Sequence, residues 1–304
     1  MKALLLLAFG GPRSLDEVEP FLTKLFRGRN PSPEQLERVK DRYRLIGECS
    51  PLLEITVKQA KALEKSLNKK ADRFKAYVGM RYSHPFIEDT LRKILQDGVK
   101  AVLALPMTPF QSRASTGAYV EEVLRAQKKL ERKMEVSFVG GWHLSPLFLE
   151  AIQEKIEEGL LQFTREERKR AHLIFTAHSL PKSLIEKESY VQDMEESVKA
   201  VVEKMDPHPW HIAFQSREMG AEEWLEPDVE SLLIELSQQN VREILIIPIG
   251  FVADHIEVLY DIDILYRKKA ESLGMVLKRT PSLNDSKKFI EALASIIEEH
   301  VKGL

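Results

Sequence analysis

The chain has a single cysteine, Cys49, among 304 residues. One thiol excludes an internal disulfide, a cysteine-rich zinc site and a four-cysteine iron–sulfur cluster. Cys49 reads as an inert small apolar residue, and so few cysteines suit a reducing cytoplasm. A basic excess is missing as well. Lys and Arg total 45 against 47 for Asp and Glu, a net charge of -2. That balance argues against a nucleic-acid-binding protein, which needs cations to neutralise phosphates. Long apolar runs are absent too, with no stretch near the roughly 18 residues of a membrane span. The opening Met1–Phe9 run is short, and Gly10-Gly11-Pro12 follows it in place of a small-x-small cleavage site. It reads as a buried strand, and no export signal is expected. No low-complexity or linker-like segment interrupts the chain. What remains is an ordinary globular composition of a length that suggests two domains and a core needing no staples.

Eight short apolar runs read as buried strands: 3–9, 74–80, 101–106, 135–140, 172–177, 210–214, 243–249 and 275–279. Amphipathic stretches with helix signals lie between them. Ser32-Pro33-Glu34-Gln35 is a capping box with proline at the first helical position, and Gly47 closes that region. Ser14-Leu15-Asp16-Glu17 reads as a second capping box. Pro85 opens a helix that Gly98 closes, and Pro227 opens one ending near Asn240. Strands alternating with helices specify an α/β fold of βαβ units with mostly parallel sheet.

The strands fall into two sets of four, and the halves rhyme. Ala8-Phe9-Gly10-Gly11-Pro12 corresponds to Ala177-His178-Ser179-Leu180-Pro181, Met80-Arg81 to Ser216-Arg217, and Leu105-Pro106 to Ile247-Pro248. The expected architecture is two similar Rossmann-like lobes, 1–144 and 145–284, each with a four-stranded parallel sheet. A terminal helix within 285–304 is left unassigned to either lobe. Ligands of such sheets bind beyond the carboxyl ends of the strands, so a cleft between facing lobes is the place to look.

Two strand ends carry candidate chemistry. His178 follows the 172–177 strand. Asp254, His255 and Glu257 follow the 243–249 strand, the densest polar cluster at any strand end. Asp254 and Glu257, three apart, share a face if the segment is helical. Imidazole and carboxylate together suit both divalent first-row metals and proton transfer.

These landmarks resemble the ferrochelatase family. The matching stretches are Leu6–Pro12, Tyr43–Gly47 with Ser50-Pro51-Leu52, Gly79–Tyr82 with His84-Pro85, and Ser112–Gly117. They continue with His178-Ser179-Leu180-Pro181, Phe214-Gln215-Ser216 with Trp224-Leu225 and Pro227, and Pro248–Tyr260. The resemblance implies the chelatase fold and an enzyme, a lyase of heme biosynthesis that inserts Fe(II) into protoporphyrin IX or coproporphyrin III with release of two protons. Iron is then a substrate, and no cofactor is required. His178 and Glu257 become the central catalytic pair, with Asp254 and His255 supporting and His178, Glu257 and Asp261 handling metal. Phe9, Arg27, Arg42, Tyr43, Ser50, Tyr119 and Trp224 become porphyrin contacts, with Ile46 and Leu225 as further apolar wall. One assignment has His178 accept pyrrole protons while Glu257 delivers iron; the reverse stays open. A chelatase for another metal or tetrapyrrole, or a non-catalytic carrier, is the alternative. A cytoplasmic monomer, touching a membrane at most peripherally, is expected.

Three departures from the family pattern bear on the site. Phe9 stands where coproporphyrin-using relatives often carry tyrosine. Lys187-Glu188-Ser189-Tyr190 replaces a Gly-Asp-Pro-Tyr stretch. Leu265 stands four residues beyond Asp261, where many relatives have an acid, which shortens a carboxylate row for metal entry.

Overall fold

A computed structural model describes residues 2–69, 73–130, 132–217 and 223–302. The first lobe comprises β1 (Lys2–Ala8), α1 (Val18–Leu25), α2 (Pro33–Leu45), α3 (Leu52–Leu67), β2 (Phe74–Met80), α4 (Ile87–Gln96), β3 (Ala101–Pro106), α5 (Ala118–Gln127) and β4 (Glu135–Phe138). The second comprises α6 (Pro146–Leu160), α7 (Arg165–Arg170), β5 (His172–His178), α8 (Lys182–Ile185), α9 (Tyr190–Val202), β6 (Trp210–Gln215), α10 (Val229–Gln238) and β7 (Glu243–Ile247). A π-helix (Glu257–Tyr266), α11 (Arg267–Ser272) and β8 (Val276–Arg279) complete it, and α12 (Lys287–Lys302) follows. All eight expected strands form. They pair in parallel in two four-stranded sheets of the same topology, β2-β1-β3-β4 and β6-β5-β7-β8.

Side chains alternate between the faces of a strand, and both faces are covered here. Leu4 and Leu6 of β1, Leu103 and Leu105 of β3, and Leu173, Phe175, Leu245 and Ile247 of β5 and β7 all face one central core. Residues one step out of phase turn outward. Leu5 and Leu7 pack with Ile87 and Leu91 of α4, and Ile244 and Ile246 with Leu233 and Leu236 of α10. The terminal helix belongs to neither lobe alone. α12 packs on both α3 and α6, and its buried Phe289 lies beside Trp142.

Local signals mostly act as read. The Ser32 box is reciprocal, with Gln35 N–H donating to Ser32 Oγ and Ser32 N–H donating to Gln35 Oε1. The Ser14 box does not form, and its side chain caps nothing. Glu17 is taken by Arg13, which offers it both backbone N–H and guanidinium. A charged donor outcompetes a neutral backbone amide. Cys49 is exposed, not packed as a small apolar side chain.

Candidate active site

The carboxyl ends of both sheets open on one cavity of about 1860 Å³, well beyond the roughly 300–1,000 Å³ of an ordinary ligand pocket. Strand ends supply much of its lining: Phe9 after β1, Arg81 and Tyr82 after β2, Met107 after β3, His178 at β5, Ser216 after β6 and Phe251 after β7. Apolar walls come from both lobes. Phe9 stacks obliquely on Tyr82 with ring centroids 4.6 Å apart. Trp224 stands on the second-lobe side, its indole N–H buried without a hydrogen-bond partner. Arg38, Arg42 and Arg81 from the first lobe and Lys182 and Arg217 from the second bring positive charge to the same cavity.

At its base His178 Nδ1 lies 2.8 Å from Glu257 Oε2. Burial is the largest single influence on the Glu257 carboxyl and pushes it up, but His178, His255 and Ser216 together outweigh it and hold the group at about 2. Glu257 is therefore an ionised acceptor. Nδ1 of His178 must donate, which puts the lone pair of the neutral ring on Nε2. The His178 carbonyl accepts from Tyr190 Oη at 2.9 Å, fixing the backbone behind the ring. His255 points Nδ1–H at the Ala253 carbonyl (3.0 Å) and brings Nε2 to 4.0 Å from Glu257 Oε1.

Glu257 opens a ten-residue π-helix running to Tyr266. Such wide turns are rare and gather at functional sites. At roughly 4.4 residues per turn, residues four and nine apart stay on one side, and Glu257, Asp261 and Tyr266 all line the cavity. Leu265 lines it as well. Burial raises the Asp261 carboxyl to about 6, against the pull of its hydrogen bond from Ser216 Oγ. Arg42 reaches across from α2, its guanidinium 5.1 Å from the Tyr260 ring centroid.

Several expected site residues stand elsewhere. Asp254 is not helical and does not share a face with Glu257. Its carboxylate turns from the cavity to accept from Ser282 Oγ at 2.6 Å and Asn284 Nδ2 at 2.8 Å, because Ser282, Asn284 and nearby Arg279 satisfy it there. The three proposed metal ligands are not a preformed cage. Among the described residues no group of three or more His, Cys, Asp or Glu side chains is arranged to hold an ion. Asp261 is occupied with Ser216 while His178 and Glu257 hold each other. Arg27 lies in an adjoining 460 Å³ pocket with Leu25, Phe26 and Arg29. Ser50 packs against Gly11, outside the cavity lining. Leu225 is buried behind Trp224, and Ile46 packs with the Val18–Tyr43 cluster. Phe9, Arg42, Tyr43, Tyr119 and Trp224 do line the cavity, and burial raises both tyrosine phenols. The sequence alone assigns no role to Gln215, Ser216, Tyr190 or Tyr266. Gln215 and Ser216 sit in the Phe214-Gln215-Ser216 landmark, a signal present but unassigned.

A ferrochelatase family model matches residues 1–301. A ferrochelatase of Geotalea uraniireducens is 39% identical over 99% of this chain and 98% of its own. A coproporphyrin III ferrochelatase of a Geobacillus species is 38% identical over 98% of this chain and 97% of its own. Among solved structures, SirB from Bacillus subtilis with Fe3+ superposes at a TM-score of 0.61, covering 98% of this chain and 95% of that one at 10% identity. CbiX, a terminal enzyme of siroheme biosynthesis in denitrifying bacteria, superposes at 0.58 and 9% identity over 98% and 99%. These two show the fold alone, the two-lobed chelatase arrangement. No helix among the described residues is long and apolar enough to cross a membrane. The facing parallel sheets, the His178–Glu257 pair at their ends and a family match from end to end agree: the chain belongs to the ferrochelatase family, whose members insert iron into porphyrin in heme biosynthesis.

Proposed function

We propose that the chain inserts Fe(II) into a propionate-bearing porphyrin with His178 as the base and the Glu257–Asp261 row as the side from which iron arrives. The His178–Glu257 hydrogen bond carries this reading. Nε2 accepts a pyrrole proton, and the ionised Glu257 stabilises the imidazolium that results, as a carboxylate does for any histidine it orients. Glu257 Oε1 and the Asp261 carboxylate are hard oxygen donors on the same side of the π-helix, suited to a ferrous ion shedding water. Two protons leave as one Fe(II) enters, His178 passing the first to water through its exposed side before it takes the second, so the macrocycle keeps its charge. Phe9, Tyr82 and Trp224 offer flat apolar surface to the disc. Arg38, Arg42 and Arg81 offer bidentate donors to carboxylate arms.

In this reading iron is substrate, no resident cofactor takes part, and the protein works as a cytoplasmic monomer of two lobes, 1–144 and 145–284, joined by α12. The single cysteine and the core shared by both sheets support those choices.

The test is anaerobic mixing of the purified protein with Fe(II) and either coproporphyrin III or protoporphyrin IX, followed by absorbance. Metalation of at least one is expected, and the faster one names the physiological arms. Binding of both with metalation of neither would leave a tetrapyrrole carrier.

A further inference from the structure

The end of β6 touches two of the three carboxylate residues of the π-helix, Glu257 and Asp261, without supplying an acid or a base itself. Gln215 and His178 are register partners on adjacent parallel strands, so their side chains leave the sheet on the same face. Gln215 is almost fully buried, and its Nε2 donates to the Glu257 carbonyl at 2.8 Å. The same residue's carbonyl accepts from Ser179 N–H at 2.7 Å. Gln215 thus ties the first residue of the π-helix to the strand pair that carries His178.

Ser216, the next residue, has φ +61. Serine in the left-handed region is unfavourable, and such outliers persist where surrounding structure over-determines them. Here that conformation turns Ser216 Oγ onto Asp261 Oδ2 at 2.5 Å. It also brings the Ser216 N–H to 3.4 Å from Tyr266 Oη. Two consecutive residues therefore grip residues 257, 261 and 266 of one helix.

We propose that Gln215 and Ser216 are positioning residues for iron insertion, Gln215 holding Glu257 against His178 and Ser216 aiming the Asp261 carboxylate into the cleft. The proposal rests on the reading that this row of carboxylates handles the metal. Groups that orient a metal-handling ligand commonly matter as much as the ligand, with losses of about 10–100-fold on removal.

The experiment compares Ser216→Ala, Ser216→Gly, Ser216→Asn and Gln215→Met in the full chain. Initial rates are measured at varied Fe(II), and porphyrin affinity separately by fluorescence. Loss of kcat/KM for Fe(II) by about tenfold or more is expected in Ser216→Ala, Ser216→Gly and Gln215→Met, with porphyrin affinity unchanged. Glycine takes the left-handed conformation freely, so a Ser216→Gly loss cannot come from backbone strain. Asparagine tolerates that conformation and keeps a donor, so partial rescue by Ser216→Asn is expected. Wild-type iron kinetics in Ser216→Gly and Gln215→Met would overturn the proposal, as would equal losses in iron kinetics and porphyrin affinity. Absence of iron insertion by the unmodified protein would instead overturn the functional reading beneath it.

Discussion

His178 Nδ1 stands 2.8 Å from Glu257 Oε2, joining the last residue of β5 to the first of the π-helix. The contact decides which imidazole nitrogen is basic, and the carboxylate charge decides how readily that nitrogen takes a proton. Glu257→Gln keeps the size of the side chain and removes the charge. We expect kcat for Fe(II) insertion to fall by about 10²-fold or more, the usual weight of general acid–base catalysis. Porphyrin affinity should stay as it was. Anaerobic initial rates and porphyrin fluorescence quenching measure the two separately, and an unchanged kcat would remove Glu257 from the reaction.

Asp261 makes stability depend on pH. Burial raises its carboxyl from 3.8 to about 6, so between these values the folded chain binds more protons than the unfolded one. Stability from this group is therefore lost as pH rises through 6. A rise of about two units corresponds to about 3 kcal/mol of destabilisation above pH 6, as an upper figure. Asp261→Asn can still accept the Ser216 hydrogen bond and carries no charge. It should unfold at higher urea than the wild type at pH 7.5, and at nearly the same urea near pH 4. Iron insertion should fall in the same variant. An equal urea midpoint at pH 7.5 would mean that the ionised carboxylate is not held at a cost.

Arg279 fastens the π-helix to β8. Its guanidinium makes a fork of two 2.9 Å bonds to Asp263 and stands 3.5 Å from Asp254. All three side chains are largely buried. Arg279→Met leaves Asp254 without a cation and Asp263 with only Arg267 at 3.6 Å, a loss of at most about 3–5 kcal/mol, the figure for a buried pair broken on one side. Adding Asp263→Asn to that variant should recover part of the loss. Chemical denaturation of the single and double variants checks this, and strict additivity would show that the pair is not coupled.

The strands were legible because a strand buried on both faces leaves an unbroken apolar run, as Ile244–Ile247 does between Glu243 and Pro248. His178 and Glu257 were legible because parallel sheets present chemistry at their carboxyl ends. The π-helix was not. Residues four apart are neighbours at either 3.6 or 4.4 residues per turn, so Glu257 and Asp261 pair under both readings. Tyr266 joins them only in the wider helix. Ser216 was equally silent, since nothing in a serine announces a left-handed backbone as glycine or asparagine would. The partners of Asp254 were silent too, since sequence proximity to Glu257 says nothing of Ser282 and Asn284, which arrive from thirty or so positions on and bond to it.

Gly250 tests how tightly the strand end beneath His178 is held. A Cβ there would stand 2.7 Å from Ala177 Cβ and 2.9 Å from Ala177 Cα. Gly250 N–H also donates to the Thr176 carbonyl at 3.1 Å. The glycine is needed for close approach, its φ not being left-handed. Gly250→Ala must therefore push the backbone of Ala177, one residue before His178. Forcing one methyl into a packed contact costs about 1–3 kcal/mol, and we expect kcat to fall with the melting temperature as His178 is displaced. Ala177→Gly in the same chain removes the nearer obstacle but leaves the backbone Cα in place. It should return part of the stability and less of the activity. Thermal melts and insertion rates of the two variants decide it. Wild-type values for both quantities in Gly250→Ala would show that β5 can yield here without disturbing the base at its end.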